Sequence, residues 1–284
     1  MNYLKGKVAA ITGAGSGIGR ALALNLAAEG CHVAIADINE AGLNETADKV
    51  RSSGVRVTTH IVDVAKREQV KRYADEVVKA HGAVHIIINN AGVLIVETLE
   101  DLSYEDFEWL IGINLWGVVY GCKEFLPYLK QQDSANIVNI SSVNGIFTNP
   151  NNGAYCTSKF AVRGFTETLA QELSDTRVKV SCVHPGGIKT NIVNNAKFYK
   201  SSDPSLAREE SAAIFNRAMT HTMADKASQI IIAGIKKNKA RIMVGTDAYV
   251  YDWLKRLFPV WFQKLTGHKI APAWIKKKAG IKSS

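Results

Sequence analysis

Cysteine is scarce in this chain and nowhere paired. The four present, Cys31, Cys122, Cys156 and Cys182, show no C-x-x-C spacing and stand in mostly apolar surroundings. That excludes a disulfide framework and predicts reduced core thiols of a cytoplasmic protein. Histidine, cysteine and carboxylates fall nowhere at metal-ligand spacing, so no metal is expected. Long apolar runs are missing too. The longest uncharged apolar stretch, Trp109 to Cys122, is too short to cross a bilayer and contains Asn114. Lys5 to Thr12 already reads as the first strand, which leaves no room for a cleavable leader. With 46% apolar and 21% charged residues, the 284-residue chain has the composition of a globular protein able to bury a large core, so disorder is not indicated.

The formal charge of +9 is unevenly placed. From Lys236 onward there are twelve Lys and Arg against two Asp, whereas the preceding stretch is close to neutral. The basic excess belongs to the C-terminal part.

Along the chain, short apolar runs alternate with helical patterns. Val8 to Thr12 reads as a strand, and Gly13-Ala14-Gly15-Ser16-Gly17-Ile18-Gly19 follows at once, opening a helix that runs to about Glu29. Glycines in that context let a backbone approach a pyrophosphate closely, and the free N–H groups of the helix start favour its charge. A second strand, His32 to Ala36, ends in Asp37, eighteen residues beyond Gly19. A carboxylate there accepts hydrogen bonds from adenosine ribose hydroxyls and repels a 2′-phosphate, which favours NAD over NADP. The bland alternative for Asp37 is an N-cap of the next helix. Helix Glu40 to Ser52, strand Val55 to Ile61, helix Lys66 to Ala80 and strand Val84 to Ile88 continue the alternation. Such a pattern implies right-handed crossovers and an α/β doubly wound parallel sheet with helices on both faces. Ligands bind outside the carboxyl ends of such strands, where the glycine turn, Asp37, Asp63 and Asn89-Asn90-Ala91-Gly92 all fall. Taken singly, Asp63 reads as a turn residue and Asn89-Asn90 as a polar strand exit.

Asn152 to Leu173 has helical periodicity, which sets Tyr155 and Lys159 on one face. A phenol is a poor base at neutral pH, and a neighbouring ammonium lowers its pKa. Ser142, just after the apolar strand Asn136 to Ile140, is placed to share a substrate oxygen with Tyr155. Tyr-x-x-x-Lys alone is a weak signal found in many helices. Ser134 to Ser158 carries no charge and is rich in Asn, Ser and Gly, as suits a loop lining a site.

Thr12-Gly13-x-x-x-Gly17-Ile18-Gly19, Asn89-Asn90-Ala91-Gly92, Asn114, Ser142, Tyr155-x-x-x-Lys159 and Pro185-Gly186 together resemble the ordered motif set of the short-chain dehydrogenase/reductase family, over about Leu4 to Gly245. The resemblance implies a single Rossmann-like domain that transfers a hydride between NAD and an alcohol or ketone, with NADP as the alternative cofactor. It implies that Tyr155 is the general base or acid, that Lys159 lowers its pKa and bonds the nicotinamide ribose, and that Ser142 holds the reacting oxygen. Asn114, on the helical stretch Tyr104 to Lys130, would interrupt that helix and hold a water linking the lysine to solvent. A buried asparagine that satisfies a neighbouring backbone group is the plainer alternative. Gly13, Ser16, Gly17 and Ile18 would cradle the pyrophosphate. Asp63, Val64, Asn90, Ala91, Gly92, Pro185 and Gly186 would also bind the cofactor, with the Ile188 backbone and the Thr190 hydroxyl contacting the nicotinamide carboxamide. His184, after strand Val178 to Val183, reads as an ordinary strand-end residue, since the tyrosine already supplies the proton.

Residues from about 188 to 219 form a long segment after the motif region, with Ile192, Val193, Phe198, Tyr199, Leu206, Ile214 and Phe215. They read as a lid over an apolar, bulky substrate that is steroid-, retinoid- or acyl-like, or as a packed short helix. Helix Asp225 to Lys237 and strand Arg241 to Val244 close the domain, 1–245. The extension, 246–284, departs from the commonest family pattern: Tyr249, Tyr251, Trp253, Phe258, Trp261, Phe262 and Trp274 are interleaved with Lys255, Arg256, Lys264 and Lys269. It reads as packing on its own domain or as lying in a membrane interface. No nucleic-acid module accompanies it. The resemblance also implies a homo-oligomer, and the altered C-terminal part favours a dimer over the usual tetramer. Two other functions stay open: an NADPH-dependent carbonyl reductase of lipid-like substrates at a membrane surface, and a nucleotide-binding regulator without turnover.

Overall fold

The computed structural model describes residues 3–190, 192, 196–199 and 222–266. Seven parallel strands form its sheet: β1 (Val8–Thr12), β2 (His32–Asp37), β3 (Val57–Ile61), β4 (Ile86–Asn89), β6 (Ala135–Ile140), β7 (Val178–Pro185) and β11 (Arg241–Val244). They lie in the order β11-β7-β6-β4-β1-β2-β3, so the direction of winding reverses between β1 and β4. A crevice opens at such a reversal, outside the carboxyl ends of the strands.

The central strands are apolar without alternation because both faces of the sheet are covered. Ile86, Ile87 and Ile88 of β4 are fully buried. Within β1 the faces still alternate. Ala9 and Ile11 join a core with Leu22, Leu26, Leu43 and Ile231, while Val8 and Ala10 join one with Tyr73, Val77, Phe125 and Val162. Helices α1 (Gly17–Ala28) and α2 (Glu40–Arg51), with α7 (Ala224–Lys236), supply the first of these layers. Helices α3 (Arg67–His81), α5 (Gly117–Leu129) and α6 (Gly153–Glu172) supply the second.

Local chemistry sets several boundaries. The Asn39 side chain accepts the Gly42 N–H at 3.0 Å, and Ser103 does the same for Asp106 at 3.2 Å, capping α2 and α4 (Tyr104–Ile111). Asp37 therefore does not cap α2. α3 stops at Gly82, whose φ of +81° favours glycine. The helical stretch expected over Tyr104 to Lys130 is interrupted by a π-helical turn at Gly112–Trp116, with Asn114 buried at its centre.

Short pairs complete the frame. β5 (Ile95–Val96) pairs with β9 (Lys197–Phe198), and β8 (Ile188–Lys189) with β10 (Thr222–Met223). Most of the expected lid, 191, 193–195 and 200–219, lies outside the described residues, as does 267–284 of the extension. The described part of the extension forms α8 (Thr246–Leu257) and α9 (Pro259–Leu265). These fold back on the domain through an aromatic cluster: the Phe147 ring centroid lies 4.9 Å from Tyr251 and 5.3 Å from Phe262. Asp252 pairs with both terminal nitrogens of Arg241, at 2.7 and 3.2 Å. The helices thus use one face for packing.

Candidate active site

The crevice at the reversal point has a volume of about 520 Å³. Gly13, Gly15, Ser16, Gly17 and Ile18 form one wall, Asp37, Asp63 and Val64 another, and Asn90, Ala91 and Gly92 the middle. Ser142, Tyr155 and Lys159 close the end away from Asp37, beside Pro185, Gly186, Ile188 and Thr190. Every sequence-predicted site residue except Asn114 lines this one space, and Asn114 stands directly behind Gly92.

The glycine turn is built for close approach. α1 begins without a side-chain cap, so its first N–H groups face the crevice unsatisfied by protein side chains. A Cβ on Gly13 would stand 2.8 Å from Ala91 Cα, and one on Gly19 would lie 2.2 Å from the Gly13 carbonyl oxygen. Gly13 and Gly17 also have positive φ, +66° and +54°. The turn is locked to β4. The Thr12 hydroxyl accepts the N–H groups of Asn90 and Ala91 at 3.0 and 3.1 Å, and the Asn90 amide donates to the carbonyls of Thr12 and Gly13 at 2.9 and 3.1 Å. A bare backbone cradle at a helix start fits a dinucleotide pyrophosphate.

Asp37 stands at the end of β2. Its carboxylate accepts the N–H groups of Gly15 at 2.8 Å and Asn39 at 2.9 Å, which aims it into the crevice. Arg20, a cation on the neighbouring α1, is engaged by Glu45 at 2.8 Å and Thr46 at 2.9 Å. The charge offered to a ribose is negative. Asp63 accepts the Ala65 N–H at 3.0 Å and so shapes the turn after β3.

At the far end, the Lys159 ammonium is buried and donates to the Ile140 carbonyl at 3.0 Å, while standing 5.5 Å from the Tyr155 ring centroid. Burial pushes its pKa down to about 8. Burial also pushes the Tyr155 phenol up to about 12, opposed by a hydrogen bond with the Ser142 side chain. The sequence led us to expect a phenol lowered by its lysine. In the structure burial raises it instead, and the ammonium spends a donor on a backbone carbonyl of β6.

Asn114 uses its side chain on backbone. Its Oδ1 accepts the Val93 N–H at 2.8 Å, and its Nδ2 donates to the Val93 carbonyl at 2.9 Å and to the Ser158 hydroxyl at 3.3 Å. A Cβ on Gly92 would come within 3.2 Å of Asn114 Oδ1 and 3.6 Å of Lys159 Nζ, so glycine keeps the space between the two polar groups clear. His184 is fully buried in β7, with Nδ1 3.0 Å from the Ser142 carbonyl, to which its N–H donates, and Nε2 unpartnered. Burial pushes its pKa down to about 4.

A family model described as short chain dehydrogenase matches residues 7–199. The chain belongs to this family. A Mycobacterium tuberculosis protein named as an oxidoreductase, SadH, is 41% identical over 273 residues, covering 95% of this chain and 98% of its own. Human estradiol 17-beta-dehydrogenase 11 is 32% identical over 269 residues, covering 94% of this chain and 84% of its own. Among solved structures, a short chain dehydrogenase/reductase from Burkholderia phymatum in complex with NAD superposes with a TM-score of 0.84 at 31% identity, covering 93% of this chain and 97% of that one. This short-chain dehydrogenase is accordingly an oxidoreductase, and the glycine cradle described above is the feature its fold would use for a dinucleotide.

Several crevice residues escaped the sequence reading. Val93, Trp109 and Ile113 give it an apolar wall, and the Lys197 ammonium lies 4.1 Å from the Trp109 ring centroid. Trp109 and Ile113 sit one helical turn apart beside Asn114, which was the available signal. A second hollow of about 820 Å³, between Leu99, Phe160 and Gln263, shares no described residue with the crevice and, among the described residues, offers no titratable group but Cys156. Among the described residues no cluster of His, Cys, Asp and Glu has the makings of a metal site.

Proposed function

We propose that this short-chain dehydrogenase transfers a hydride between NAD(H) and an apolar secondary alcohol or ketone, with Tyr155 moving the proton. The observation that carries the reading is the meeting of Ser142, Tyr155 and Lys159 at one end of a crevice whose other end holds the glycine turn and Asp37. Bound there, NAD supplies the hydride acceptor, or in its reduced form the donor. Tyr155 Oη takes the proton of an alcohol or gives one to a ketone, while the Ser142 hydroxyl holds the same oxygen from a second direction. Lys159 keeps donors free beyond its bond to Ile140 for the nicotinamide ribose. Asn114 supports the proton path behind it by fixing Val93. Asp37 selects NAD over NADP through the ribose hydroxyls. An apolar, bulky substrate is supported by the Val93, Trp109 and Ile113 wall and by the likeness to an estradiol dehydrogenase.

The test is Tyr155→Phe, assayed with NAD and a panel of hydrophobic secondary alcohols. NADH binding persists and turnover falls by at least about a hundredfold, the lower end of general acid-base contributions; activity within a few-fold of wild type refutes the assignment of the base.

Two further parts of the reading concern partners. A homodimer is supported by the exposed Tyr104, Trp116 and Phe160 on α4, the π-helical turn and α6. Contact with an anionic membrane surface is supported by α8 and α9, whose outer side exposes Tyr249, Trp253, Leu257, Val260 and Trp261 beside Arg256 and Lys264. Among the described residues no helix is long and apolar enough to cross a membrane. A cytoplasmic location is supported by the four buried, free thiols. Sedimentation with phosphatidylserine vesicles against phosphatidylcholine vesicles tests the surface. Binding to the former alone that Trp253→Glu with Trp261→Glu abolishes supports it, and no binding removes it.

A further inference from the structure

The end of β7 is held from outside the crevice. The Gly186 N–H donates to the Val244 carbonyl at 2.9 Å, and the Gly187 carbonyl accepts the Thr222 N–H at 3.1 Å. The Gly187 N–H goes to a side chain, Asp247 Oδ2, at 2.7 Å. Asp247 lies in the first turn of α8, sixty positions further along the chain, in the extension that the family model does not reach. Two glycines make this approach geometrically possible. A Cβ on Gly186 would lie 2.2 Å from Asp247 Oδ2, and one on Gly245 would lie 2.4 Å from Oδ1. Gly245 also has a φ of +97°, which turns the chain from β11 so that the carboxylate points back at Gly187.

On the other side of the same few residues, Pro185, Gly186, Ile188 and Thr190 line the crevice. Thr190 packs where a Cβ on Gly17 would be, 3.3 Å from its side chain, so the segment spans from the Tyr155 end to the glycine turn. With Gly187 bonded from behind through both its N–H and its carbonyl, the segment has little freedom to retreat from a dinucleotide. We propose that Asp247 is a positioning residue for the dinucleotide: a carboxylate from the C-terminal extension that fixes the Pro185–Thr190 segment against the nicotinamide end. This rests on the NAD-binding reading above. A charge-assisted bond to a backbone N–H is short and strong, and its position outside the crevice leaves the inner surface free for ligand. An acidic residue in a first helical turn also complements the helix dipole. That role needs neither the bond to Gly187 nor the two glycines that make room for it.

The experiment uses the full chain carrying Asp247→Ala and, separately, Asp247→Asn, whose amide oxygen still accepts the Gly187 N–H. Three quantities are read: amide hydrogen exchange of the 183–190 peptide without cofactor, NADH dissociation constant, and kcat against KM for NAD. Asp247→Ala speeds exchange in that peptide and weakens NADH binding by about tenfold, the fold-change of one lost charge-assisted hydrogen bond. Asp247→Asn recovers most of both. Unchanged exchange and NADH affinity in Asp247→Ala, with only a lowered melting temperature, overturns the proposal. Should Asp247→Ala not fold, Asp247→Ser, whose hydroxyl is too short to reach the Gly187 N–H, takes its place: faster exchange and weaker NADH binding in it support the proposal, and wild-type values of both overturn it. Failure of wild-type protein to bind NADH would instead defeat the NAD-binding reading, and the exchange measurement would still report on the Asp247 bond.

Discussion

Lys159 Nζ donates to the Ile140 carbonyl at 3.0 Å while standing 5.5 Å from the centroid of the Tyr155 ring. The strand that ends beside Ser142 thus also orients the ammonium. Buried there, the lysine titrates near 8 rather than in its ordinary range.

The sign of the resulting pH dependence follows from which form loses charge. As pH rises through about 8 the ammonium becomes neutral and loses the charge and the third donor that it offers the nicotinamide ribose. In wild type, the kcat/KM profile for NAD-dependent alcohol oxidation should bend near that pH. A guanidinium stays charged throughout, so Lys159→Arg lowers the rate but removes the bend. A bend that survives in Lys159→Arg would show that another group titrates there.

Asp37 is the next test. Its carboxylate lies beside Gly15, whose N–H it accepts at 2.8 Å, and Arg20 is already engaged by Glu45. Asp37→Ser removes the repulsion of a 2′-phosphate. The ratio of NADPH to NADH dissociation constants should fall by about tenfold or more, in line with the loss of one unpaired like-charge contact. Fluorescence titration with both cofactors measures it, and an unchanged ratio would place selectivity elsewhere.

His184 makes acid stability predictable. Its folded pKa, about 4, lies below the ordinary 6.5. Between those values the unfolded chain binds the proton that the folded one refuses, so stability is full above about 6.5 and falls as pH drops toward 4. The full shift corresponds to roughly 3 kcal/mol. His81, also pushed down to about 4 by burial, adds to the same slope. His184→Asn, which keeps a donor for the Ser142 carbonyl, should flatten the fall in melting temperature between pH 7 and 4.5. An equally steep fall would assign it to other groups.

The sheet was readable because buried parallel strands spell continuous apolar runs, as in Ile86 to Ile88, and because ligand groups collect at strand ends. The glycine turn was readable for the same reason. The start of the third strand was set two residues early, at Val55. The chain turns through Gly54, with φ of +72°, and only Val57 reaches the ladder. The π-helical turn at Asn114 left no trace in periodicity beyond Gly112 and Gly117; the family resemblance supplied it. The two-residue pairs β5–β9 and β8–β10 are too short to pattern. Lys159 turning to Ile140 is a contact across nineteen residues that no helical spacing encodes. Asp247 carries no signal in the sequence, since its partner at Gly187 is chosen by tertiary structure alone.

The position of β11 has a consequence for synthesis. Among the described residues it is the last sheet strand to leave the ribosome, yet it forms one edge of the sheet by pairing with β7, with Met243 opposite His184. Until Val244 has emerged, β7 presents an open edge, and the serine-bearing loop behind His184 lacks its backing. Assembly of this half of the molecule is therefore gated by translation of the C-terminal part. A nascent chain that stalls before Arg241 carries an exposed strand edge of the kind that chaperones shield and that neighbouring chains pair with.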